Sequence, residues 1–150
     1  MDELTPQEID KAYERIFSLI IKTPLISSET INKKTNANVY FKLENLQWTG
    51  SFKLRGASNK ISQLSNEEKS RGIVSYSSGN HAQAVAYASN LFGVQATIIM
   101  PKNAPSIKIE NTKKYGADII FYDYKHESRE KIASEIARKQ NKKIIKPYDD

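Results

Sequence analysis

Two short segments of this 150-residue chain combine the residue types that chemistry at a small-molecule site needs. The first is Thr49-Gly50-Ser51-Phe52-Lys53-Leu54-Arg55-Gly56-Ala57. Gly50 and Ser51 suit a turn and a helix N-cap, which puts Lys53 in the first helical turn. The helix dipole disfavours a cation there. Partial burial beside Phe52 acts in the same direction, so this placement would lower the Lys53 pKa and favour the neutral amine. A neutral amine is what Schiff-base chemistry requires. Spacing alone leaves a plainer alternative open, an exposed lysine on an amphipathic helix. The nucleotide loop G-x-x-x-x-G-K-[ST] is absent.

The second segment is Ser77-Ser78-Gly79-Asn80-His81-Ala82-Gln83. Backbone N–H groups at a helix start cradle carboxylate or phosphate, and Ser77, Ser78 and Asn80 add short polar donors. The same residues also make an ordinary capped turn. His81 has the chemistry of an acid or base. The only other histidine is His126, and no metal-ligand spacing joins the two, so no metal site is expected. There is no G-x-S-x-G elbow. Arg129, within Glu127-Ser128-Arg129-Glu130, reads most simply as an i,i+4 helix charge, as do Glu130 and Lys131.

The elements that must hold these segments fall into two styles. Ile9, Tyr13, Ile16 and Ile20 share helical spacing, which predicts a helix over 9–21 stopped by Pro24. Ser28 to Lys34 suits a short helix, and VYFKL (39–43) alternates as a strand does. From residue 72 the pattern is regular. Strands are predicted at 73–76, 96–100, 118–122 and 143–146, starting 22 to 25 residues apart. Helices fill the gaps. The first runs from His81 to Phe92 and ends at Gly93. The second is opened by Pro105 and stops at Gly116. The third covers 127–139, with Ile132/Ile136 and Ala133/Ala137 forming its apolar stripe. A β-α-β-α-β-α-β run implies a parallel sheet with right-handed crossovers. Such sheets bind ligands beyond the carboxyl ends of their strands, which directs attention to Ser77–His81.

Composition removes several classes of function. No apolar run approaches the ~20 residues of a membrane span. The absence of cysteine excludes disulfides and thiolate metal sites. MDELTPQEID lacks the basic and apolar regions of a secretory signal, so a cytoplasmic location is expected. The net charge is +6, from 23 basic and 17 acidic residues. Eighteen of the basic residues are lysines scattered among acids, with no run longer than two and no basic-aromatic platform. That pattern argues against a nucleic-acid surface.

KLENLQWTGSFKLRGA (42–57) followed by SSGNHAQ (77–83) resembles the fold-type II pyridoxal-phosphate enzymes. The nearest group is the serine/threonine dehydratases, serine racemases and 3-hydroxyaspartate dehydratases. The likeness continues through TIIMPKNAPSIKIENTKKYGADI (97–119), ESRE (127–130) and PYDD (147–150). The resemblance implies an α/β fold of the tryptophan synthase beta-like kind. It further implies that Lys53 forms the covalent link to pyridoxal 5′-phosphate and takes the substrate's α-proton. Phe52 would pack on the cofactor and Asn80 would bond its 3′-oxygen. The backbone of Ser77, Ser78, Gly79, Asn80 and His81 would hold the substrate carboxylate. Ser78 stands where threonine dehydratases commonly carry Ala and racemases carry Ser. A serine opposite Lys53 would serve as a second proton carrier. Arg129 matches an arginine near the substrate and would pair with a second carboxylate.

The implied activity is loss of water and then ammonia from a hydroxy amino acid, with serine racemisation as a companion outcome. A homodimer, and a divalent cation in the full-length protein, are likewise implied. Family members are about twice as long. Against them, 1–71 reads as an incomplete part of the large cofactor domain and 72–150 as the small α/β domain. The glycine-rich loop that grips the cofactor phosphate is missing, so the chain reads as an amino-terminal fragment, a non-catalytic remnant or a partner subunit. Trp48 also departs from the family, where a polar or basic residue is usual.

Overall fold

A computed structural model describes residues 4–148; Met1–Glu3 and the Asp149-Asp150 end of the PYDD match lie outside them. Thr5 starts the first helix, α1 (Pro6–Ile16). Its side chain accepts from the Glu8 N–H, and its own N–H donates to the Glu8 carboxylate at 2.8 Å. This reciprocal box satisfies two donors that a helix start leaves open. The helix ends at Ile16, short of the predicted residue 21, and Pro24 plays no part in stopping it. Ile16 and Ile20 are buried, whereas Ile9 and Tyr13 are exposed. The chain leaves the helix at Phe17, and Ile20 reaches the core from the turn that follows.

Strand β1 (Leu25–Ser27) pairs antiparallel with β2 (Tyr40–Lys42), Leu25 facing Lys42. Between them lies α2 (Glu29–Thr35), capped by Ser28. All six residues of the two strands are exposed. A 3-10 turn at Glu44–Leu46 leads towards α3 (Lys53–Ser62). The N-cap of α3 is Phe52 and no side chain bonds there, so Ser51 is not the cap that its residue type suggests. Ser51 is buried instead, with its hydroxyl unpaired. Lys53 still falls in the first turn. Helix α4 (Asn66–Arg71) carries a second capping box, Ser65 with Glu68.

Gly72 turns α4 into the sheet. Its φ is +78°, and a Cβ there would stand 2.6 Å from the Gln95 carbonyl oxygen. Only glycine meets both conditions. The remaining elements are β3 (Ile73–Tyr76), α5 (Asn80–Leu91), β4 (Ala96–Pro101), α6 (Ser106–Lys114), β5 (Asp118–Tyr122), α7 (Arg129–Gln140) and β6 (Lys143–Ile145). The strands form one parallel sheet in the order β5-β4-β3-β6. Pro105 is the N-cap of α6 and not a residue of its first turn.

The two inner strands are buried at every position, as a sheet covered on both faces requires. Alternation divides them. Ile73, Ile98 and Met100 join Leu54, Ala57 and Ile61 of α3 and the alanine-rich face of α5. Val74, Tyr76 and Ile99 face Ala133 of α7, with Ile132 and Ile136 alongside. Helix α3 lies against α5, so the lysine-bearing helix and the sheet share one core. Leu54 and Ile61 are wholly buried, each stabilising that contact by about 2–3 kcal/mol.

Candidate functional site

The sheet geometry places its ligand-facing edge where β3 and β4 end. Ser77 N–H donates to Ile99 O at 3.1 Å, which extends the ladder one residue beyond β3. Gly79 N–H donates to Ser77 Oγ at 3.2 Å, folding the chain into a turn. Asn80 then opens α5, whose first turn has no side-chain cap. No side chain of the helix start therefore takes up its leading N–H groups, the groups an anion would use. Ser78 and Asn80 are exposed, and Ser77 and Gly79 are half-buried. His81 is buried, with Nε2 at 3.4 Å from Ile145 O.

Lys53 reaches the same place from the other side. It is half-buried, its Nζ donates to Pro147 O at 2.6 Å, and Nζ lies 5.4 Å from the centroid of the Phe52 ring. Phe52, Lys53, His81, Pro147 and Tyr148 line one open cleft of about 450 Å³. The fold thus brings the two sequence segments to one cavity through Lys53 and His81. Ser77, Ser78, Gly79 and Asn80 precede His81 at its margin and are not walls of the cleft.

Arg129 does not make an i,i+4 pair. Its Nε donates to the adjacent Glu130 Oε1 at 2.8 Å, and its guanidinium sits 5.4 Å from the Tyr76 ring centroid. The Glu130 hydrogen bond holds the guanidinium above its ordinary pKa, and Arg129 in turn holds Glu130 below the usual carboxylate range. Burial raises the Tyr76 phenol. Tyr148 touches both Arg129 and Tyr76 and also lines the cleft. Arg129 is not itself in the cleft wall.

Other residues hold the approach to Lys53 without any motif to mark them. Arg55 grips Glu44 with two bonds, Nε to Oε2 at 2.9 Å and Nη2 to Oε1 at 2.7 Å. Thr23 Oγ1 donates to Glu44 Oε1 at 2.5 Å. The Arg55 bonds hold Glu44 below the usual carboxylate range. Gln47 clamps the Ile21 backbone, accepting its N–H at 2.8 Å and donating to its carbonyl at 3.0 Å. These bonds tie Ile21 and Thr23 to the Glu44–Gln47 stretch and to α3, while Trp48 stays exposed. Among the described residues, no group of three or more His, Cys, Asp or Glu stands together to hold a metal ion. None of their helices is long and apolar enough to cross a membrane.

Residues 16–150 match the family described as pyridoxal-phosphate dependent enzyme. Serine racemase of Schizosaccharomyces pombe is 46% identical over 145 residues, which cover 97% of this chain and 45% of that protein. The L-threo-3-hydroxyaspartate ammonia-lyase of Saccharomyces cerevisiae is 46% identical over 138 residues, 92% of this chain and 42% of that protein. The structure of maize serine racemase superposes with a TM-score of 0.89 at 42% identity, over 94% of this chain and 43% of that one. The chain spans under half the length of these relatives.

Proposed function

The chain belongs to the pyridoxal-phosphate dependent enzyme family, and from that premise we propose that it is the amino-terminal portion of an ammonia-lyase. The reaction would convert L-threonine, L-serine or 3-hydroxyaspartate to a 2-oxo acid and ammonia, with serine racemisation at the same site. The observation that carries this reading is the meeting of Lys53, Phe52 and His81 on one cleft at the carboxyl edge of a parallel sheet.

The donor set fits pyridoxal phosphate. An amine (Lys53), an aromatic face beside it (Phe52) and a primary amide at a helix start (Asn80) are the groups that its aldehyde, ring and 3′-oxygen require. Pyridoxal phosphate, when bound, supplies an electron sink for cleavage of the substrate Cα–H bond. Lys53 would hold the cofactor covalently and, once released, accept the α-proton at Nζ. To do so it must give up the Pro147 carbonyl, its present partner. The Ser77–His81 backbone would orient the substrate carboxylate. Ser78 would move a proton at Oγ on the face opposite Lys53. Loss of the β-hydroxyl as water, followed by hydrolysis of the released imine by water, would give the 2-oxo acid and ammonia, whereas proton return from the Ser78 side would give the enantiomer.

In this reading 1–71 belongs to a larger cofactor domain and 72–150 to the small one. The parent would be a cytoplasmic homodimer, with a divalent cation held by residues beyond this chain. A second reading, a non-catalytic remnant or partner subunit, draws support from the apolar side chains that 4–52 leaves exposed. Intact mass spectrometry after pyridoxal phosphate and borohydride separates the two. One pyridoxyl group mapped to Lys53 is expected for the enzyme. No adduct, or adducts spread over many lysines, would overturn it in favour of the remnant.

A further inference from the structure

Helices α5 and α6 are joined by two parallel rungs. Asn80 and Gln83 lie three residues apart on α5, and Lys108 and Asn111 lie three apart on α6, so each pair shares a helix face. In the inner rung, Asn111 Nδ2 donates to Gln83 Oε1 at 2.9 Å, and Gln83 is buried. In the outer rung, Lys108 Nζ donates to Asn80 Oδ1 at 2.8 Å. The buried rung sets the spacing of the helices, and that spacing brings Lys108 to Asn80.

An ammonium has three donors and no acceptor. It can therefore bind only the oxygen end of an amide, never the nitrogen end. A free asparagine amide turns over, presenting oxygen or nitrogen alike. Resting on the functional reading above, we propose that Lys108 is a positioning residue. It holds the Asn80 amide with oxygen towards α6, leaving the NH2 group as the donor offered to the cofactor's ring oxygen. The ammonium also draws electron density from the amide, which makes its N–H groups better donors.

The test uses the whole chain, isotopically labelled, with Lys108→Met and Lys108→Arg. In the wild type, the Asn80 side-chain NH2 resonances are expected at fixed positions. Lys108→Met should move and broaden them. It should also weaken pyridoxal phosphate binding, followed by absorbance, by about fivefold, the fold-change of one ordinary hydrogen bond. Lys108→Arg retains a donor-only cation and should restore both readings. A merely structural role would treat arginine and methionine alike. The proposal is overturned if Lys108→Met leaves the Asn80 resonances and the affinity unchanged, or if Lys108→Arg fails to rescue while folding normally. A wild-type chain that captures no cofactor at Lys53 would overturn the functional reading, whereas this proposal is read from the Asn80 resonances.

Discussion

Residues 4–71 and 72–148 treat their apolar side chains in opposite ways. Among the described residues, the first region holds 6 of the buried hydrophobic residues and the second holds 17. Of the large hydrophobic residues left exposed, 11 lie in the first region and 6 in the second. The difference is one of architecture. A parallel sheet with helices on both faces covers itself, while every residue of the β1–β2 pair stays exposed among the described residues. Yet the cleft draws on both regions. The amine comes from the under-covered region, and Ser77–His81 come from the self-sufficient one. Helix α3 reconciles the two, because it turns its apolar face to α5 and so borrows the second region's core.

The sharpest way to break this comparison is at the amine. Lys53→Ala should abolish site-specific pyridoxyl capture altogether while α3 stays folded; capture undiminished in peptide maps would detach the chemistry from the first region. Next in size comes the core. Ile98→Ala should cost about 3–4 kcal/mol in urea unfolding, whereas Ile26→Ala on the exposed strand should stay within about 0.5 kcal/mol. Equal losses would show that the first region is packed after all.

A smaller effect is expected at Glu44. Its folded pKa is lowered, chiefly by Arg55, so the folded state binds protons less readily than the unfolded chain. The resulting stability is present above the ordinary carboxylate range and is lost as pH falls through the lowered folded value. Arg55→Met should remove about 1–3 kcal/mol at neutral pH and flatten that part of the acid limb in a pH series of unfolding curves. An acid limb of unchanged shape would dismiss the pair. The least costly change is Tyr40→Lys. It should leave stability within about 0.5 kcal/mol but reduce self-association in sedimentation velocity, since the unmutated chain leaves Leu25, Ile26, Tyr40 and Phe41 exposed on the paired strands. A parent chain that runs as a monodisperse monomer would remove the premise.

The second region was the more legible in sequence, and burial is the reason. Ile73–Tyr76 appears at its predicted bounds as an inner strand buried at every position, and Asp118–Tyr122, an exposed edge strand, appears at its bounds because Gly116 before it and its β-branched and aromatic run still mark it. In the first region the same cues misled. Ile16 and Ile20 are four apart and both buried, but only Ile16 is helical; a turn reproduced the spacing. Ser51 has the chemistry of a cap, yet Phe52 holds that position. The Ser65-x-x-Glu68 box was a readable signal for α4. Nothing local marks β1, three exposed residues that pair with β2. Of the site, Lys53 and His81 on one cleft were foreseeable from motif and topology. Glu44, Gln47 and Lys108 were not, because their partners lie 11, 26 and 28 residues away and only the finished fold brings them together.

The position of β6 has a consequence in time. It pairs with β3, so one edge of an inner strand waits for the last strand of the sheet. When β3 has been made, 69 further residues must be added before Ile145 is in place. At cellular rates of about 5–20 residues per second, that wait lasts roughly 3–14 s. Throughout it, a strand that the finished fold buries at every position presents unpaired backbone groups, and the Pro147 carbonyl that Lys53 engages does not yet exist. The nascent chain is thus most vulnerable to wrong pairing during synthesis itself, and closing the sheet and seating the lysine are one late event.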